Sequence, residues 1–171
     1  MMRILLFILL TMTLTYAKGG IDIAMVLKPY FSASATVTKK QFNLSKKQMK
    51  AVEKSAKARL DSNTIRMYTV KQGKRIQGYA VLIVKTIRTK KAAVLYIMDK
   101  NEKLKGIEIL AFNEPSEYKP NSNWQGVFKG KTKEDNLFSG KGIPTISGST
   151  LSARAITDAS RIALAIVRIY K

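Results

Sequence analysis

Apolar residues recur along this chain with two different periods, and the change of period separates helical from extended segments. Met49, Val52, Ala56 and Leu60 follow one another at spacings of 3, 4 and 4, which places them on one helical face. Lys46, Lys47, Lys50, Lys54, Lys57 and Arg59 occupy the opposite face and read as its solvated side. Ser45-Lys46-Lys47-Gln48 fits a capping box at the start, and Leu44 before it can staple onto Met49. Asp61-Ser62-Asn63 ends this helix. A second, far more apolar helix is predicted from about Thr150. Leu151, Ala155, Ala159, Ile162, Ile166 and Ile169 line one face of it, and Ile156, Ala163 and Val167 widen that face. A stripe so broad packs against a sheet.

Between the helices the period falls to two. Ile65, Met67 and Thr69 alternate with Arg66, Tyr68 and Val70, and Gln72-Gly73-Lys74 reads as a turn. Ile76 to Ile87, Ala92 to Met98 and Leu104 to Phe112 follow as strands rich in β-branched and apolar residues. Asp99-Lys100-Asn101-Glu102-Lys103 forms a polar hairpin loop. Consecutive strands joined by short polar turns predict an antiparallel sheet. The expected fold is therefore α+β: an antiparallel sheet packed by an N-terminal amphipathic helix and an apolar C-terminal helix. Ahead of it, Ile21, Ile23, Met25, Val26 and Leu27 mark a short apolar element broken by Pro29, and Thr36 to Phe42 reads as extended. Residues 113–123 are irregular; Trp124, Val127 and Phe128 then form a short apolar element.

The first residues do not belong to that pattern. A basic start at Arg3, an apolar run from Ile4 to Leu14 and small residues before Lys18 have the layout of a secretory signal peptide, too short to span a bilayer. Cleavage after Ala17 is expected. This leaves residues 18–171, of 171 in all, as one domain in a periplasmic or other extracytoplasmic compartment. The chain has no cysteine and no histidine. Disulfides, iron–sulfur clusters, haem attachment and Ser-His-Asp or Cys-His nucleophiles are excluded, and no metal site is expected. Redox chemistry would have to come from a bound organic cofactor. Lys and Arg number 31 against 11 Asp and Glu, a net charge of +20. Such a field draws anionic partners: an acidic protein or an anionic membrane surface, with nucleic acid disfavoured for an exported protein.

Candidate chemistry is concentrated just before the last helix. In Ser147-Gly148-Ser149-Thr150-Leu151-Ser152 a small-residue loop runs straight into a helix N-terminus, whose free N–H groups and dipole attract phosphate. On physical grounds alone, an ordinary Ser/Thr-capped helix start is the better reading of the segment. The stretch resembles the FMN-binding domain family, which includes the covalently flavinylated subunits of the sodium-pumping NADH:quinone oxidoreductase and of the Rnf complex. The family pattern is Asp-x-x-Ser/Thr-Gly-Ala-Thr followed by a helix. Ser147, Gly148, Thr150, Leu151, Ser152, Ala155 and Ile156 match it; Pro144 replaces the usual Asp and Ser149 the usual Ala. Upstream, Leu104-Lys105-Gly106-Ile107, Asn113-Glu114-Pro115-Ser116-Glu117-Tyr118 and Trp124-x-x-x-Phe128-x-Gly130-Lys131 resemble further family blocks, so the similarity runs over roughly residues 76–170.

The resemblance implies FMN as cofactor, carried on the Thr150 hydroxyl through a phosphoester installed by a Mg-dependent flavin transferase that uses FAD. It implies a phosphate held around Ser147, Gly148, Ser149 and Leu151. Glu114 and Tyr118 would lie near the ribityl chain or ring, with Trp124 and Phe128 against the isoalloxazine or simply in the core. Arg154 and Lys141 could add charge near the phosphate. The expected function is extracytoplasmic electron transfer with a membrane or periplasmic redox partner. A flavin-dependent small-molecule reductase is the alternative, as is a cofactor-free basic binding module. The module rests on Lys39 to Arg59, which holds eight basic residues and one acid.

Overall fold

A computed structural model describes residues 20–171. The expected leader, residues 1–17, lies outside them. The chain enters through a short helix α1 (Ile23–Leu27) and a 3-10 turn (Lys28–Tyr30). It continues as β1 (Thr36–Asn43), α2 (Lys46–Ala56), β2 (Thr64–Gln72), β3 (Arg75–Thr86), β4 (Lys91–Asp99) and β5 (Leu104–Phe112). After these come α3 (Ser122–Gly126), the two-residue strands β6 (Phe138–Ser139) and β7 (Gly142–Ile143), and α4 (Thr150–Tyr170). β1 to β5 form one antiparallel sheet in sequence order, as the short polar turns require. No helix among the described residues is long and apolar enough to cross a membrane.

The sheet is apolar on both faces. Met67, Val81, Val94, Tyr96 and Ile107 point toward α2 and α4 and build the main core. α4 lies across this face, with Ile156, Ile162 and Ile166 almost wholly buried and Ala155, Ala159 and Ala163 keeping the backbone close. Each buried Ile is worth about 1.5–3 kcal/mol, so packing rather than capping holds this helix. Deep in the contact the Tyr96 hydroxyl donates to the Ile156 carbonyl at 2.8 Å. Burial pushes its pKa well up, so it remains a donor.

The second face carries Tyr68, Val70, Ala80, Leu95 and Ile97, covered by Leu27, Ile23, Tyr30 and Phe31. The short apolar element before Pro29 is thus a third layer, beyond the two helices the sequence pattern provides for. Gly106 makes room for it: a Cβ there would lie 2.6 Å from the Tyr30 ring.

The amphipathic helix needs one correction. The expected turn through Leu60 is absent, because Lys57 adopts a left-handed conformation (φ 48°) and ends α2 at Ala56. The capping box at its start forms as read, with Gln48 N–H on Ser45 Oγ and Ser45 N–H on Gln48 Oε1. At the far end the exposed carbonyls find Arg161 of α4. Its Nε donates to Ala56 O at 2.6 Å, Nη1 to Leu137 O, and its guanidinium stacks on Phe138 at 4.0 Å. Leu60 still reaches the core, through the loop, where its N–H is taken by the Glu53 carboxylate at 2.9 Å. Its apolar spacing therefore mimics a helical turn. Arg161→Met should strip these carbonyls of their donor and lower stability by about 2–3 kcal/mol in denaturant unfolding; a loss under about 0.5 kcal/mol would show that water replaces Arg161 at no cost.

Candidate functional site

The first turn of α4 is open. Its N-cap Ser149 makes no capping bond; the hydroxyl is buried and donates instead to Glu117 O at 3.2 Å. Among the described residues the amides of Thr150, Leu151 and Ser152 have no acceptor. Ser152 Oγ is also buried, at 1 % residue exposure, and has no partner. An unsatisfied buried hydroxyl costs about 1–3 kcal/mol, so four donors here await an acceptor. Gly148, with φ at 78°, turns the chain into the helix, and nothing lies within 4 Å of where its Cβ would stand.

These groups border a cleft of about 280 Å³ lined by Arg88, Tyr118, Gly148, Ser149, Thr150, Leu151 and Ser152. The Thr150 side chain is exposed, and its Oγ1 donates to Ile146 O at 3.2 Å, which fixes the rotamer and leaves the oxygen lone pairs outward. Leu151, 49 % exposed, gives the cleft an apolar rim opposite the half-buried Tyr118. Arg88 lies over the Tyr118 ring at 4.9 Å, a cation–π contact worth about 0.5–1 kcal/mol at an exposed site.

Most of the residues expected at the site meet here, but not all. Ser147 is exposed and adjoins the cleft without lining it. Glu114 stands behind it: buried, it accepts the amides of Arg88, Thr89 and Lys90 at 3.1, 2.7 and 2.8 Å on one oxygen. Trp124 is in the core, edge-on to Phe128 at 5.2 Å, with its indole N–H on Pro144 O at 2.8 Å. Phe128 is fully buried. Both aromatics are committed to packing. Lys141 and Arg154 are exposed and do not line the cleft. Both departures from the family pattern acquire roles: the Pro144 carbonyl tethers the loop to Trp124, and the Ser149 hydroxyl tethers it to residue 117. Arg88, which the sequence pattern did not single out, joins the site from the β3–β4 turn.

Residues 89–165 match the sequence model of the FMN-binding domain. The chain contains an FMN-binding domain. The match runs from the β3–β4 turn into α4 and takes in every cleft residue but Arg88. No curated protein matches the chain. FMN is the cofactor this domain indicates, and the cleft suits it. Four unpaired donors and a guanidinium are the chemistry a phosphate monoester needs, and Leu151 and Tyr118 offer apolar surface beside them. A larger cleft, about 750 Å³, lies around Tyr30, Lys105, Glu108 and Lys129 at the other end of β4 and β5. Its one helix start, at Ser122, is capped by the Asn121 side chain, and none of its lining residues has an orphaned hydroxyl.

Hydrogen bonds from Lys90, Thr89 and Arg88 hold the Glu114 pKa below the ordinary carboxylate value. Because the folded value is the lower one, the stability it contributes is complete above the unfolded pKa and is lost as pH falls through the folded one. Amide hydrogen exchange at residues 88–90 should therefore accelerate in acid below pH ~4. Glu114→Gln should raise exchange there at neutral pH and remove most of the acid dependence; unchanged protection would mean that the turn holds itself.

Proposed function

We propose that this FMN-binding domain belongs to an exported electron-transfer protein that carries FMN on Thr150. The observation that carries the reading is the exposed Thr150 hydroxyl at the mouth of a cleft that also presents unpaired helix amides and the unpartnered Ser152 hydroxyl. Bound FMN supplies one- and two-electron redox chemistry. The protein supplies position: amides and Ser152 Oγ for the phosphate, Leu151 and Tyr118 as apolar edges. With no histidine or cysteine, the chain lacks the usual acid–base and nucleophilic groups of a reductase with its own substrate, which supports a carrier. Attachment would exchange the hydroxyl proton of Thr150 Oγ1 for the FMN phosphoryl group of FAD, with AMP as the leaving group and the proton going to the flavin transferase.

Co-expression with a flavin transferase should give a denaturation-resistant fluorescent band and a mass increase of one FMN on a chain starting at Lys18. Thr150→Ala should abolish both. A colourless wild-type product that also fails to bind free FMN would sink the reading.

The partner reading rests on charge. Lys39, Lys40, Lys46, Lys47, Lys50, Lys54, Lys57 and Arg59 are all exposed on β1, α2 and the loop that follows, and none has a carboxylate within 4 Å among the described residues. The α2 surface that carries Lys46, Lys47, Lys50 and Lys54 docks a redox partner with an acidic surface. Electron transfer to that partner should slow with salt, and Lys46, Lys47 and Lys50 changed together to Glu should slow it at low salt. Co-sedimentation with anionic vesicles, lost in the same variant, would assign the face to the membrane instead.

A further inference from the structure

Arg88 lies one residue before the matched segment, yet its side chain completes the cleft. It has no carboxylate within 4 Å among the described residues. Among the described residues its guanidinium makes one close contact, the stack on Tyr118, a weak one at an exposed position. Its backbone, by contrast, is fixed: the buried Glu114 carboxylate takes three successive amides of the turn and so aims residue 88 at the cleft. The Glu114 carboxylate bears on the guanidinium electrostatically from beyond 4 Å, but its hydrogen-bonding oxygen is taken by those amides, so the guanidinium N–H groups stay unpaired beside the α4 amides and the orphaned Ser152 hydroxyl.

We propose that Arg88 is a phosphate-binding residue of the flavin site, and that through it the cleft selects phosphorylated flavin over riboflavin before any covalent bond is made. The inference rests on the placement of FMN at this cleft. A guanidinium offers a planar pair of N–H donors to a phosphate, and the α4 amides offer donors from the other side. Riboflavin has no phosphate and would leave the same groups unpaired, so the site discriminates by the cost of those empty donors as well as by the bonds gained. The Tyr118 stack keeps the guanidinium near its working position in the meantime.

The test uses protein made without the flavin transferase and titrated with FMN and with riboflavin, following flavin fluorescence. Wild type should bind FMN more tightly than riboflavin. Arg88→Gln should weaken FMN by about tenfold and leave riboflavin unchanged, and Arg88→Lys should recover part of the loss because it restores charge without the planar fork. An unaltered unfolding transition in both variants shows that the fold is intact. If wild type binds FMN and Arg88→Gln binds it equally well, the role of Arg88 is wrong and the site stands. A wild type with no affinity for FMN would remove the site itself.

Discussion

Everything at the cleft before α4 depends on burying one face of that helix against the sheet. A helix whose first three amides have no acceptor, and whose N-cap makes no capping bond, begins at a disadvantage. The three deeply buried isoleucines and the Tyr96 bond to Ile156 O offset that cost many times over. The open turn can therefore be kept for a ligand. A conventional N-cap side chain would take one of these amides and crowd the anion site.

The loops around the cleft are held by three buried side chains. Glu114 fixes the β3–β4 turn, Ser149 fixes the 115–118 loop, and Trp124 fixes the approach to α4 at Pro144. None of them supplies the free donors. The donors come from groups with nothing else to do: the α4 amides, Ser152 Oγ and Arg88. Supporting groups are thus satisfied by protein and working groups are left unsatisfied, as preorganised binding of an anion requires.

Much of this could be read from the residues. The alternation of Ile65, Met67 and Thr69 with Arg66, Tyr68 and Val70, and the long β-branched runs, mark the strands, because side chains on a sheet point to opposite faces with a period of two. The capping box at Ser45 and the stripe of α4 gave the helices. Leu60 misled because it reaches the same core from a loop. The covering of the second sheet face by Tyr30 and Phe31 was invisible, since it depends on which distant segment folds back, and Gly106 signals only that something comes close. Within the site, Thr150, Ser149, Gly148 and Leu151 are contiguous, so one motif contains them all. Glu114 and Trp124 were found as motif residues, but their roles are set by tertiary partners. Arg88 was hidden among 31 basic residues, on a turn with no motif of its own.

The central claim is that flavin occupies the cleft at the start of α4 rather than the larger one beside β5. Backbone amide NMR during FMN titration tests it most directly. The account predicts the largest shifts at Thr150, Leu151 and Ser152, with Tyr118 and the Arg88 guanidinium moving together with them and residues 103–108 unaffected. Shifts confined to Lys105, Gly106 and Glu108, with the first turn of α4 silent, would contradict it.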